Sequence, residues 1–222
     1  MDSKARILTL ATRLFARQGF AGVSLRSIAE GVGITKPSLL YHFPSKDHLR
    51  EEVLSEVFDH WARRLPSLVR AVTSGSGTSD ALMNELVAFF REDTDRAHLL
   101  LREIVDRPEE MRRRIGESLQ PLVVLVADTI RKGQALNVVQ ADVDPEAFVC
   151  NMIGLTIVLM VAAPVVEPVV QSDRESATDR LQRELYRIAA TSLFCAPARP
   201  VKTRQKGEES AGAESPTASN QG

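Results

Sequence analysis

Ser24 to Lys46 reads SLRSIAEGVGITKPSLLYHFPSK, and its spacing predicts two short helices joined by a sharp turn. Ser24 is a good N-cap, because its hydroxyl oxygen accepts from a backbone N–H that the first helical turn leaves without a partner. Leu25, Ile28, Ala29 and Val32 follow at helical spacing and make one apolar face. Ala29 is small enough to let two steeply crossing helices approach. Gly33, flanked by Gly31, falls where the chain must turn within a few residues, and such a turn calls for a residue that tolerates positive φ. Thr35 caps a second helix, and Pro37 falls in its first turn, where a missing N–H does no harm. Leu39 faces back into the hinge while Lys36, Ser38 and Tyr41 look outward. A Gly-x-Gly alone also occurs in plain loops, but alanine, glycine, cap and apolar spacing agree here. The pattern is that of a helix-turn-helix, which lays its second helix in the major groove of DNA.

The flanks extend the reading. Upstream, Ile7, Leu8, Ala11, Leu14 and Phe15 form an amphipathic stripe that ends at Gly19, a helix stop. Downstream, Ser45 opens a further helix in which Lys46, Leu49 and Val53 recur at helical spacing. The segments LFARQGFAGVSLRSIAEGVGI and YHFPSKDHL resemble the TetR family of one-component bacterial regulators, through Phe15, Gly19–Phe20, Ala29, Gly33, Phe43 and Lys46. The resemblance is close over about residues 5–55 and is one of helical layout beyond them. It implies an all-α chain with an N-terminal three-helix helix-turn-helix DNA-binding domain (1–50) and a larger helical ligand-binding and dimerisation domain (51–195). Residues 196–222, rich in Pro, Ala, Ser, Gly, Glu and Gln, are expected to be a disordered tail, whose Arg199, Lys202, Arg204 and Lys206 are read as solvated.

Charge agrees with that division. Residues 1–50 carry a net +5 and the whole chain −1, so the remainder sums to −6. A basic amino-terminal quarter on an acidic body suits phosphate binding by one module, although charge bias alone also serves solubility. The resemblance implies that the start of the second helix and the whole third helix read DNA, which makes Ser24, Arg26, Thr35, Lys36, Pro37, Ser38, Tyr41, His42 and Lys46 the DNA-binding candidates. Arg26 suits a bidentate pair to a guanine edge, Lys36 a base or a phosphate, and Pro37 a thymine methyl. Thr35 and Ser38 carry short hydroxyls for close approach. Tyr41, His42 and Lys46 suit phosphates, which set register without carrying sequence information. The family usually has tyrosine where this chain has Leu40, so that phosphate contact is absent or passes to Tyr41. Leu40 packs into the hinge or touches a thymine methyl.

The remaining chain, of 222 residues with 44% apolar and 5% aromatic content, predicts an aliphatic helical core. Helices are expected at about 46–66, 79–94, 96–106, 109–134, 144–163 and 174–195. Ser74–Ser79 reads as a flexible loop, Pro108 separates two helices, and Pro164 and Pro168 close the fifth of these. Phe148–Val166 is the most apolar stretch; Asn151, Pro164 and Glu167 count against a membrane span and favour a buried helix. The resemblance implies a homodimer built on the last two helices, with Ile153, Ile157, Leu181, Leu185, Ile188 and Leu193 as interface candidates. Two-fold pairing independently makes sense, since one short helix reads few base pairs; it demands an inverted-repeat, palindromic operator with half-sites about 34–36 Å apart or a multiple.

A cavity among the middle helices is expected, with Trp61, Phe89, Phe90, Leu100, Ile104, Leu122, Val126, Cys150 and Met160 as candidate walls, each of which is otherwise ordinary core. The resemblance implies a small apolar or amphipathic effector that shifts the spacing of the reading heads. Arg102 and Glu103 either orient a polar group of it or form a surface pair. An enzyme finds no support: G-x-S-x-G, P-loop and G-x-G-x-x-G are all missing, and four histidines and two cysteines lack metal-ligand spacing, so neither cofactor nor metal is expected. Cys150 and Cys195 read as small buried hydrophobes. The charged opening Met1–Arg6 and the two scattered cysteines suit a cytoplasmic protein. The expectation is a repressor released by a small molecule; the alternative is an architectural DNA-binding protein without a ligand switch.

Overall fold

The computed structural model describes residues 3–73, 78–170 and 175–195. Within them the order is α1 (Ser3–Gly22), α2 (Leu25–Val32), α3 (Lys36–His42), α4 (Lys46–Thr73), α5 (Thr78–Glu92), α6 (Thr94–Asp106), α7 (Pro108–Ala135), α8 (Pro145–Val166) and α9 (Ala177–Leu193). The all-α class is as the sequence predicts; the described residues add one isolated β-bridge, Val139 to Phe194. The expected tail from residue 196 and residues 74–77 of the expected 74–79 loop lie outside the described residues, and residues 78 and 79 already belong to α5.

Helices α1 to α3 form a head around Ile7, Ala11, Phe15, Ile28, Ala29 and Leu39, each no more than 1% exposed. Gly19 (φ 75) kinks α1 rather than ending it, and the helix resumes to Gly22. The kink leaves carbonyls of the preceding turn without helical partners. Arg102 of α6 fills that gap, donating from Nε to the Ala16 carbonyl at 2.8 Å and from Nη2 to that of Arg17 at 3.2 Å. Arg102 therefore fastens the head to the body.

Glu103, the neighbour read as a possible ligand contact, is 5% exposed and meets Arg50 of α4, itself 1% exposed. Arg50 donates to Glu103 through Nε at 3.0 Å and also through Nη2, and to Glu110 of α7 through Nη1 at 3.1 Å. Burial pulls the Arg50 pKa down, but its bonds to Glu103 and Glu110 outweigh burial and hold it above the usual arginine value. The guanidinium of Arg114, also paired with Glu51, is lowered by burial and by the Arg50 charge.

The body packs α8 against α5, α6, α7 and α9, while α4 lies along α1, α5 and α7. Three predicted boundaries move. α4 continues past Pro66 to Thr73, and α8 takes in Pro164 and ends at Val166. A proline removes one helical bond and crowds one carbonyl, a local penalty that packing along these long helices outweighs. α9 starts at Ala177, where the Ser176 hydroxyl accepts from the Asp179 N–H at 3.1 Å. α8 meets the length and apolarity of a membrane span, yet Val149, Met152, Thr156, Ile157, Met160 and Ala163 are buried against other helices.

Candidate functional site

The hinge has the geometry its residues predict. Ser24 and Ser27 form a reciprocal capping box, the Ser27 N–H donating to Ser24 Oγ at 3.0 Å and the Ser24 N–H to Ser27 Oγ at 3.2 Å. Gly33 adopts φ 77, ψ 35 and donates to the Glu30 carbonyl at 3.1 Å; Ile34 donates to that of Ala29 at 2.9 Å. Thr35 caps α3, and its Oγ1 lies 2.9 Å from the Ser38 hydroxyl. Each such cap contributes about 1 kcal/mol.

Around this hinge Ser24, Arg26, Thr35, Lys36, Pro37, Ser38 and Tyr41, seven of the nine DNA-binding candidates, are exposed. His42 and Lys46 are half-buried beside it. Tyr41 is 87% exposed, and only the edge of the His42 ring, at 5.5 Å, touches its ring. Leu40 is half-buried. The ammonium of Lys46 sits 4.3 Å from the centre of the Phe20 ring. Arg26 is bonded to Glu30 at 2.8 Å, a contact that holds its guanidinium above the usual arginine value.

The basic surplus of residues 1–50 is smaller at the surface than in the sequence. Arg50 is buried in the body, Arg6 donates to the Val32 carbonyl at 2.6 Å, Arg17 meets Asp95 at 3.3 Å and Lys4 meets Glu52 at 2.8 Å. Arg13 and Lys36 are exposed cations for which no ion pair is seen among the described residues.

The body holds a cavity of about 230 Å³ that is partly open to solvent. Three of the nine expected wall residues line it: Trp61 of α4, and Leu122 and Val126 of α7. Phe89, Phe90, Leu100 and Met160 are instead buried core away from it, Phe89 stacked edge-on against Trp61 at 5.0 Å. Ile104 is 36% exposed and Cys150 is exposed, because both point off their helices away from the body. Cys195 is exposed as well, so neither cysteine is the buried hydrophobe expected.

Sequence reasoning missed the rest of the wall. Met83 and Leu86 enter from α5, and Phe148, Val149 and Met152 from α8. One end is closed by Val138 and Val139 against Leu193 and Phe194. That closure is a clasp: Gln140 N–H donates to the Leu193 carbonyl and Cys195 N–H to the Val138 carbonyl, each at 3.0 Å. The Gln134 amide pins the same loop through the Val143 carbonyl at 2.8 Å. Gly133 makes room, since a Cβ there would lie 2.6 Å from Val139 Cγ2. The break itself is legible in the sequence, since Gly133 to Asp142 holds glycine, asparagine and aspartate before the Asp144–Pro145 helix entrance, and Asn137 takes the positive φ.

Most of the dimer candidates face inward in the protomer. Ile153 and Leu193 line the cavity, and Ile157 and Leu185 are buried within the protomer. Leu181 is half-buried, and Ile188 alone, at 40%, is exposed. The apolar residues that α8 exposes are Leu155, Val158 and Val165, one face at helical spacing. Because α8 is apolar all round, its sequence does not mark which face is outermost.

Residues 7–53 match the model of the bacterial regulatory proteins, tetR family. The chain is 31% identical over 130 residues to the biofilm operon icaADBC HTH-type negative transcriptional regulator IcaR of Staphylococcus aureus strain Newman, covering 58% of this chain and 68% of that protein. It is 36% identical over 90 residues to the HTH-type transcriptional regulator LmrA of Bacillus subtilis strain 168, covering 40% of this chain and 48% of LmrA. The matched region thus spans about half of one relative and two thirds of the other. In three dimensions, a transcriptional regulator from Saccharomonospora viridis, solved in complex with choline, superimposes with a TM-score of 0.63 at 22% identity, over 87% of this chain and 98% of that one. The last likeness is one of fold.

Proposed function

The chain belongs to the TetR family of bacterial regulatory proteins, and on that premise we propose that it is a homodimeric repressor released from an inverted-repeat operator by a small molecule in the cavity. The observation that carries this reading is the course of α4. It begins at Lys46 beside the reading surface and carries Trp61 in the cavity wall. Arg50 and Trp61 are about three turns, or about 16 Å, apart on one helix face, so a displacement at the cavity reaches the base of the head through one rigid element. Ligand and operator then oppose each other through one coupling free energy of about 1–3 kcal/mol.

On the operator, Arg26 meets a guanine edge, and Lys36, Thr35 and Ser38 meet bases or phosphates from the first turn of α3. Pro37 packs on a thymine methyl. Tyr41, His42 and Lys46 hold phosphates, and Ser24 keeps its cap at the edge of the contact. The apolar face of Leu155, Val158 and Val165, with Ile188 of α9 beside it, is the dimer surface. IcaR is a negative transcriptional regulator, which supports repression over activation. DNA as the target places the protein in the cytoplasm.

Selection from randomised duplex DNA, with sequencing of the retained fraction, tests the reading. Enrichment of a palindrome supports a dimeric, sequence-specific regulator and supplies the operator. Retention without a motif, strongly weakened by salt, instead makes the protein an architectural binder with no ligand switch.

A further inference from the structure

We propose that Glu30 is a positioning residue for base readout: it grips Arg26 through Nε and so holds the two terminal nitrogens of the guanidinium ready for a guanine edge. The inference rests on the operator reading above and adds the group that steadies its reader.

The pair is badly placed to be a helix stabiliser. Arg26 is the second residue of α2 and Glu30 the sixth of its eight. A helix dipole favours anions at its start and cations at its end, so each charge stands at the wrong end. Acid before base is also the better order at this spacing, and here the base comes first. Neither residue joins a wider ion network among the described residues. Glu30 is moreover the one carboxylate between Ser3 and Ser45, against six lysines and arginines. A carboxylate one turn from a base-reading arginine repels phosphates on every sequence, a standing cost to binding unless it does something there.

What it does follows from the geometry of the contact. Arg26 donates from Nε to Glu30 Oε1 at 2.8 Å, while the two side chains stay 80% and 63% exposed. The bond leaves Nη1 and Nη2 without a protein partner among the described residues. Guanine O6 and N7 accept two bonds from one arginine, and Nη1 with Nη2 make that fork end-on while the pair stays intact. A phosphate out of line with the fork is reached only by breaking the pair, which strands Glu30 beside a second anion. Glu30 therefore penalises stray phosphate contacts of Arg26 and leaves guanine readout unpenalised, and that difference is specificity. The grip also removes rotamer freedom before DNA arrives, so less is lost on binding.

The test first recovers the operator by selection from randomised duplex DNA, with the wild type and with Arg26→Ala. The position at which Arg26→Ala loses guanine preference is the one Arg26 reads. Fluorescence anisotropy then compares the operator with the same duplex carrying adenine at that position in one half-site, for the full chain as wild type, Glu30→Ala and Glu30→Gln. Each ratio compares two duplexes on one protein preparation, so any loss of folded protein cancels. In Glu30→Ala the ratio should fall about twofold to fivefold, the worth of an exposed pair. Glu30→Gln, whose amide oxygen can still accept from Nε, should restore part of it. An unchanged ratio in Glu30→Ala overturns the positioning role. So does an equal fall in both variants, since Glu30 would then act through its charge alone. If Arg26→Ala loses guanine preference at no position, the inference falls while a wild-type palindrome leaves the regulator reading standing. A wild type that enriches no motif overturns both together.

Discussion

Replacing Arg50 with methionine removes the centre of the buried ion cluster while keeping most of the side-chain volume. Glu103, 5% exposed, then loses both of its bonds to the guanidinium. Glu110 fares better, because Arg107 at 3.9 Å and Arg114 at 3.8 Å remain near it. The loss is therefore concentrated on one stranded carboxylate, and stranding one partner of a buried pair costs about 3–5 kcal/mol. That is a large share of a total stability of about 5–15 kcal/mol. Replacing Glu103 with leucine in the same chain removes the stranded charge and should recover most of the loss. Urea unfolding followed by circular dichroism at one fixed protein concentration measures all four members of the cycle, with the slope checking that unfolding stays two-state. A single variant within about 0.5 kcal/mol of wild type would refute the argument. So would a double variant whose loss is the sum of the two single losses, since Arg50 would then act through its apolar stem alone.

Gly33→Ala should destabilise by about 1–2 kcal/mol, because the residue sits at φ 77 although a Cβ would meet nothing within 4 Å. Gly116→Ala, in open space on α7, should stabilise by about 0.5–1 kcal/mol, and equal signs for the two in thermal unfolding would contradict the backbone argument. Gly133→Ala drives a Cβ to within 2.6 Å of the branched Val139 side chain, so it should cost about 1–3 kcal/mol in thermal unfolding. His60 has its pKa lowered by burial first and then by the charges of Arg96, Arg63 and Arg64; Glu56 opposes this, and the facing Glu92 already serves Arg64 and Arg96. The unfolded chain therefore takes up this proton first, so the contribution of His60 is present above about pH 6.5 and is lost as pH falls through the lower folded value. His60→Gln should flatten that acid loss in unfolding midpoints, and an unaltered pH profile would count against it. Arg26→Ala should relax specificity at one operator position and cost about 1–3 kcal/mol; equal weakening on every sequence would make Arg26 a phosphate contact.

What was legible in the sequence is what short stretches decide by themselves. The caps at Ser24 and Thr35, the positive φ of Gly33 and the burial of Ala29 and Leu39 all depend on neighbours within a few residues. The cavity depends on four helices, a loop and the end of α9, so no periodicity separates its wall from ordinary core: Trp61 and Phe89 look alike in the sequence, and one lines it while the other backs it. Arg50 shows the same limit for charge. It reads as part of a basic DNA face, yet its carboxylate partner Glu103 lies 53 residues away and draws it inside. Ile153 and Leu155 differ by two positions on a uniformly apolar helix, and that rotation sends one to the cavity and leaves the other in solvent.

The same comparison bears on which contacts set the attitude of the head on the body. Arg17 and Asp95 pair across the two, but Arg17 is 67% exposed, and such pairs contribute about 0–1 kcal/mol. Two further ties are made by arginines: Arg102 holds the carbonyls freed by the Gly19 kink, and Arg50 holds the buried Glu103. Both ties converge on adjacent residues of α6, one coming from α1 and the other from α4. The head, through α1, and the start of α4 that follows it are thus fixed to one turn of one helix. A change at the cavity that slides α4 against α6 must either carry Glu103 with Arg50 or break a buried pair. The first course costs far less, so the head should turn as a rigid unit rather than deform at the hinge.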